Sequence, residues 1–243
     1  MSRVFAVAIP SYGRPRLLQE TISGVRTYVR PDAVFLYEQN APVGAGAARR
    51  ELCRRAIDAY GPAIDVLMLD DDVVFSGEPD PDRFRRAAAP LRAGAGIVQL
   101  PNRATPSGAK PRPAVPAYHA FILAGEMLAS GVTYDAMEYG DDVAMSLIAY
   151  FAGWPVVVSG EACVRHHVSR RGVVGSIGGG IEASHRDGVP VVCRLFPAWR
   201  EAGWVTYDEG ERAGVKLPTP YTSVRVTPVG RVAHGRARQG RTS

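Results

Sequence analysis

The sequence predicts an α/β domain in which a mostly parallel sheet is flanked by helices. Three observations carry that prediction. Apolar, β-branched runs alternate along the chain with amphipathic helical patterns. The runs are continuous rather than alternating, as in strands buried on both faces. The strongest of them, Val66–Leu69, drives straight into Asp70-Asp71-Asp72, and polar groups outside the carboxyl ends of strands are where open α/β sheets place their sites.

The elements follow in order. Val4–Ile9 (VFAVAI) is a buried first strand, and Pro10–Pro15 reads as a loop from its turn residues. Arg16–Tyr28 is an amphipathic helix with Leu17, Leu18, Ile22 and Val25 on one side. Ala33–Tyr37 is a second strand, ending in Glu38-Gln39-Asn40. Such a strand–helix–strand unit defaults to parallel pairing with a right-handed crossover. Pro42–Arg50 is rich in glycine and alanine, and the helix that follows, Ala47–Tyr60, turns its N-terminus toward the strand ends. That end favours a phosphate. The stretch lacks the Lys-Ser/Thr of a phosphate loop and the full dinucleotide fingerprint, so close helix–sheet packing explains it equally well.

After the aspartates come Val73-Val74-Phe75 and a helix over Pro79–Arg92, with Phe84 and Leu91 facing inward. Gly96–Leu100 is a strand. Asn102–Pro116, with Arg103, Lys110 and Arg112, is long enough to be a functional loop or lid. Ala117–Leu123 returns to strand composition, and Gly125–Ser130 is a helical turn. Asp141 and Asp142 open a helix whose apolar face is Val143, Leu147, Ile148 and Phe151, stopped by Gly153. Trp154–Val158 is a strand, followed by His166-His167 and a glycine tract over Gly172–Gly180. Ile181–Trp199 contains a helix with Val192, Leu195 and Trp199, and the last dozen residues are expected to be disordered.

Length and composition bound the function. A chain of 243 residues, 46% of them hydrophobic, holds one domain or one domain with an appendage. No run is long enough to cross a bilayer, and the start shows no signal-peptide cleavage pattern. Cys53, Cys163 and Cys193 are few, odd in number and widely spaced. That argues against a disulfide framework and a zinc cage, makes core filler the thiols' default role, and points to a reducing cytoplasm. The net charge is +5 and no acid follows Glu211, whereas Arg212, Lys216, Arg225, Arg231, Arg236, Arg238 and Arg241 do. This excess suits a polyanionic partner, and equally a basic tail with no partner.

Two acidic clusters are the candidate chemistry. In extended backbone Asp70 and Asp72 point to one side and Asp71 to the other. Two carboxylates held close repel unless a cation lies between them, and hard oxygen ligands suit Mg²⁺ or Mn²⁺. A solvated acidic turn is the simpler reading of the triplet taken alone. Asp141 and Asp142 are likewise readable as ordinary N-terminal helix acids. One imidazole of the His166-His167 pair suits a metal, and a hydrogen-bonded surface pair is the alternative.

Four segments in this order resemble the nucleotide-sugar glycosyltransferases of the GT-A fold, in particular the large inverting family found in many bacteria and phages. Val7–Pro15 (VAIPSYGRP) is similar to that family's opening strand and nucleotide loop. Val43–Leu52 (VGAGAARREL) is similar to its next nucleotide-proximal helix start. Leu67–Phe75 (LMLDDDVVF) resembles its Asp-x-Asp metal motif, and Glu138–Val158 its acidic catalytic motif, helix and strand. The resemblance implies a GT-A domain over residues 1–205 and a basic C-terminal extension over 206–243. It implies a UDP-sugar donor near Pro10, Tyr12, Arg14, Glu38, Gly44, Arg49, Asp70 and Asp71. It implies Mn²⁺ or Mg²⁺ held by Asp70, Asp72 and His166 or His167, with Asp142 as general base beside Asp141. Two departures stand out: Asp141 replaces the family's usual Glu, and Ala144 replaces a further acid. The acceptor motif of processive polysaccharide synthases is also absent.

The whole-chain pattern is similar to that of phage glycosyltransferases associated with TET-like oxygenases. This implies 5-hydroxymethylcytosine in double-stranded DNA as the acceptor, a phage origin and a host-cytoplasmic location. Arg103, Lys110, Arg112, Arg170, Arg171 and the tail would contact the duplex, and the target base would leave the stack. A saccharide, lipid-linked or protein hydroxyl is the competing acceptor. A nucleotidyltransferase and a non-catalytic DNA-binding protein are the readings from other classes.

Overall fold

The computed structural model describes residues 3–39, 44–103, 105–113, 120–134 and 141–166, together with four short strands beyond residue 204. Seven strands form the main sheet: β1 (Val4–Tyr12), β2 (Ala33–Gln39), β3 (Ile64–Met68), β5 (Ile97–Leu100), β6 (Arg112–Pro113), β7 (Ala120–Ala124) and β8 (Val156–Val158). Their order across the sheet is β2-β1-β3-β7-β5-β8-β6. β1 is parallel to both β2 and β3, and β5 is parallel to β8. β7 runs antiparallel between β3 and β5, and β6 closes the far edge antiparallel to β8. The sheet is therefore mixed and mostly parallel, as the sequence predicts.

The helices are α1 (Pro15–Gly24), α2 (Ala45–Tyr60), α3 (Pro81–Ala87), α4 (Ala89–Arg92), α5 (Gly125–Ala129) and α6 (Asp141–Phe151). α1 runs into a π-helical turn over Val25–Val29, and α3 packs on that turn. α2 packs on α5 and α6 and on the first three strands. Right-handed crossovers from β1 to β2 and from β2 to β3 put α1 and α2 on opposite faces of the sheet. The core lies between these layers. All five residues of β3 are buried, and so are all five of β7.

Several boundaries differ from the expected ones. β1 does not stop at Ile9. Parallel pairing of Pro10, Ser11 and Tyr12 with Tyr37, Glu38 and Gln39 extends it through residues that read as loop. The Pro79–Arg92 helix is two short helices meeting at Ala88, because Pro90 has no N–H to continue the ladder. The Asn102–Pro116 loop contributes the edge strand β6. Val73–Val74 is a two-residue strand, β4, paired antiparallel with β9 (Arg165–His166).

Asp65 is the one acid inside β3. It is buried and ion-paired with Arg3 at 2.9 Å and Arg92 at 2.6 Å, so its role is structural. His167, Arg170, Arg171, Cys193, the glycine tract and the Ile181–Trp199 helix lie outside the described residues. So does most of 206–243, apart from the backbone pairings of Val205–Thr206 with Gly214–Val215 and of Val224–Val226 with Val232–His234. Among the described residues no helix is long and apolar enough to cross a membrane.

Candidate active site

The site is built at the carboxyl ends of β1 and β3. The Leu69 N–H donates to Ala8 O at 3.0 Å, so the chain leaves the sheet only at Asp70. The turn that follows is fastened to α1. The Thr21 hydroxyl reaches the carbonyl oxygens of Asp71 at 2.9 Å and Val73 at 3.1 Å. Phe75 then stacks on Tyr28 with ring centres 5.6 Å apart and meets Phe84 edge-on at 5.9 Å.

Within the turn the three carboxylates take different main partners, with Arg14 touching both Asp71 and Asp72. Asp71 is fully buried. It accepts a hydrogen bond from Ser11 Oγ at 2.6 Å and pairs with Arg14. Asp70 and Asp72 face the other way, toward His166. The β4–β9 pairing sets His166 opposite Val73, one residue beyond Asp72. Its Nδ1 lies 3.2 Å from Asp72 Oδ1 and 3.5 Å from Asp70 Oδ2. Asn102 Oδ1 accepts from the His166 backbone N–H at 3.3 Å. One ligand atom from each of Asp70, Asp72 and His166 falls within 4.8 Å of the others. Two carboxylates and an imidazole at this spacing fit a divalent cation with oxygen and nitrogen ligands.

The second acidic cluster meets the first through Arg49. This residue sits near the start of α2 and is 8% exposed. Its Nη1 pairs with Asp141 Oδ2 at 2.6 Å, and its Nη2 pairs with Asp70 Oδ1. The ring of Tyr134 lies against the guanidinium, 5.8 Å from Cζ. Asp141, the first residue of α6, is buried, and Asp142 beside it is partly exposed. Both acids add to the field on Arg49.

Burial and charge shape the titrations. Burial pushes Asp71 up to about 6 against the opposing pull of Ser11 and Arg14. Burial likewise raises Asp141 despite Arg49 beside it. For His166, burial works against the imidazolium, but the hydrogen bond to Asp72 and the charges of Asp70 and Asp72 outweigh it and raise the pKa. Burial also disfavours the Arg49 cation, and Asp141 and Asp70 more than restore it.

Of the residues expected from the sequence, Arg14, Arg49, Asp70, Asp71, Asp72, Asp141 and His166 make direct contacts in one cluster. Pro10 is buried in β1 and Tyr12 ends it. Glu38 is exposed on β2, in register with Ser11. Gly44 caps α2 at φ +85°, a conformation that favours glycine. Arg14 and Arg49, expected near the donor, are ion-paired with the acids of the same cluster. Ser11, Thr21, Asn102 and Tyr134 were not singled out from the sequence. Ser11 carried a signal in its place within the SYGR turn; the others carried none.

No protein-family model matches the chain, and no curated protein matches it in sequence. Solved structures do. The mannosyltransferase PcManGT from Pyrobaculum calidifontis, solved with GDP-Man and Mn²⁺, is similar over 87% of this chain and 66% of its own, at 17% identity and a TM-score of 0.56. A mycobacterial protein is similar over 80% of this chain and 74% of its own, at 14% identity and a TM-score of 0.54. Residues 1–349 of S. aureus TarS are similar over 83% of this chain and 74% of their own, at 14% identity and a TM-score of 0.50. In a longer TarS structure the match spans 45% of that chain. The fold is therefore that of the GT-A glycosyltransferases.

Proposed function

We propose that the chain is a metal-dependent inverting glycosyltransferase that moves a sugar from a UDP-sugar to a hydroxyl acceptor. The observation that carries this reading is the convergence of Asp70, Asp72 and His166 with Asp141 around Arg49, at the carboxyl ends of β1 and β3. Mn²⁺ or Mg²⁺ would be held by Asp70, Asp72 and His166, with His167 as the alternative imidazole. Once bound, the cation supplies Lewis-acid stabilisation to the departing diphosphate.

The chain's own residues divide the remaining work. Asp141 is buried and engaged by Arg49, so it is poorly placed to exchange a proton with a substrate. Asp142, partly exposed at the same helix start, is the general base that takes the acceptor hydroxyl's proton as the oxygen attacks the anomeric carbon. Pro10, Tyr12, Glu38 and Gly44 flank the strand ends where the nucleoside would lie, and Asp71 ties Ser11 and Arg14 to the same edge.

For the acceptor we propose 5-hydroxymethylcytosine in double-stranded DNA. The net charge of +5 and the exposed Arg103, Lys110 and Arg112 support a polyanion. The enzyme would then work in the cytoplasm of a phage host. The test is incubation with Mn²⁺, a panel of nucleotide sugars, and duplex DNA with or without 5-hydroxymethylcytosine, followed by digestion and mass spectrometry of the nucleosides. A hexose on the modified nucleoside alone is the expected result. Transfer only to saccharide, lipid-linked or protein hydroxyls would overturn the DNA acceptor and leave the transferase reading intact. Release of pyrophosphate in place of a nucleoside diphosphate would point to a nucleotidyltransferase.

A further inference from the structure

Arg49 is the one described side chain that joins the two acidic clusters. Its planar fork gives one nitrogen to Asp70 Oδ1 and the other to Asp141 Oδ2. Asp70 is thereby divided, because its other oxygen, Oδ2, faces His166 Nδ1 at 3.5 Å. Asp141 is the first residue of α6 and carries Asp142 beside it. Arg49 has little freedom to swing, since it is 8% exposed, is anchored on α2 and lies against the Tyr134 ring. A guanidinium keeps its two nitrogens at fixed separation, so a shift of one carboxylate is passed to the other. Partners that fix the orientation of a metal ligand also tune its site.

We propose that Arg49 is a positioning residue that makes α6, and with it Asp142, respond to occupancy of the cation site. The inference rests on the reading of Asp70, Asp72 and His166 as that site, and it adds what the site controls. A cation drawing on Asp70 re-aims the carboxylate that Arg49 holds, and the fork carries the change to the start of α6. The placement of the base is then set by the same event that prepares the leaving group. A lysine at this position would keep the charge but lacks the rigid planar fork that fixes the separation of the two carboxylates.

The experiment uses the full chain with Mn²⁺ alone. Binding is followed by electron paramagnetic resonance of free Mn²⁺, and hydrogen exchange of the α6 amides over Met145–Ala149 is measured with and without saturating metal. In the wild type Mn²⁺ should slow that exchange by roughly fivefold or more. In Arg49→Lys at saturating Mn²⁺ the slowing should fall below about twofold. Asp141→Ala removes the acceptor at the other end of the link and should behave the same way, which keeps the test decisive if one variant does not fold. Equal slowing in a folded variant, or none in metal-saturated wild type, overturns the coupling. Wild-type protein that binds no Mn²⁺ would overturn the cation site itself, and the two failures are separable.

Discussion

Asp71 sits between the two carboxylates that face His166 and makes its own buried contacts with Ser11 and Arg14. Burial lifts it to about 6 from an ordinary 3.8. The folded protein therefore holds this proton more tightly than the unfolded chain does. Its stabilising contribution is complete below about pH 4 and is lost as pH rises toward 6. Relative to wild type in EDTA, Asp71→Asn should gain on the order of 2–3 kcal/mol between pH 4 and pH 7, whatever constant offset the substitution adds. Urea denaturation at a series of pH values reads this directly. A difference that stays flat with pH would show that Asp71 is ionised without penalty. At this scale the sequence was only partly legible. The two-residue period predicts that Asp70 and Asp72 share a side, and both do face His166. Ser11 and Thr21 meet their partners 60 and 50 residues away, and no local pattern announces such a contact. Arg49 was expected near a nucleotide from its helix start, but its hold on Asp141 spans 92 residues and depends on tertiary packing alone.

At the level of elements, α1 and its π-helical turn grip the aspartate turn at two points, Thr21 and Phe75. Gly24, the last residue of α1, leaves room for the Phe75 ring, which a Cβ there would overlap. The ring cannot retreat easily because Tyr28 and Phe84 pack against it. Alanine at this helical position gains up to about 1 kcal/mol in propensity. Overpacking a filled site costs about 1–3 kcal/mol. Gly24→Ala should therefore be net destabilising in urea denaturation and should weaken Mn²⁺ binding, since the metal turn hangs from these contacts. Unchanged stability would mean that Phe75 does not anchor the turn. The strands were readable because each is an apolar run bounded by turn residues. The direction of β7 was not, because a fully buried strand shows the same composition whichever way it runs. The end of β1 was misread for a related reason: Pro10-Ser11-Tyr12 has turn composition, but its pairing with β2 holds it extended. The π-helical turn inserts its extra residue without any compositional mark.

For the molecule as a whole, the order of motifs along the chain was enough to predict the architecture. Each strand–helix unit has few ways to pack, and right-handed crossovers bring the carboxyl ends of β1, β2 and β3 to one edge. The convergence of Asp70 with Asp141 follows from that topology together with Arg49, and only the first was foreseeable. The proposed DNA acceptor rests on the net charge of +5 and the exposed Arg103, Lys110 and Arg112, a pattern that sequence composition registers without giving it a shape. The central claim is that this shared edge binds a nucleotide sugar with a divalent cation and breaks its glycosyl–phosphate bond. The most direct measurement is nucleoside diphosphate release from a panel of nucleotide sugars with Mn²⁺ and a panel of DNA, saccharide and protein hydroxyl acceptors, by wild type, Asp72→Asn and Asp142→Asn. Release by the wild type that is abolished by EDTA and in Asp72→Asn, and that is lost in Asp142→Asn while donor binding persists, is the predicted result. Release that continues undiminished in Asp72→Asn, or none from any donor with wild type, would contradict it.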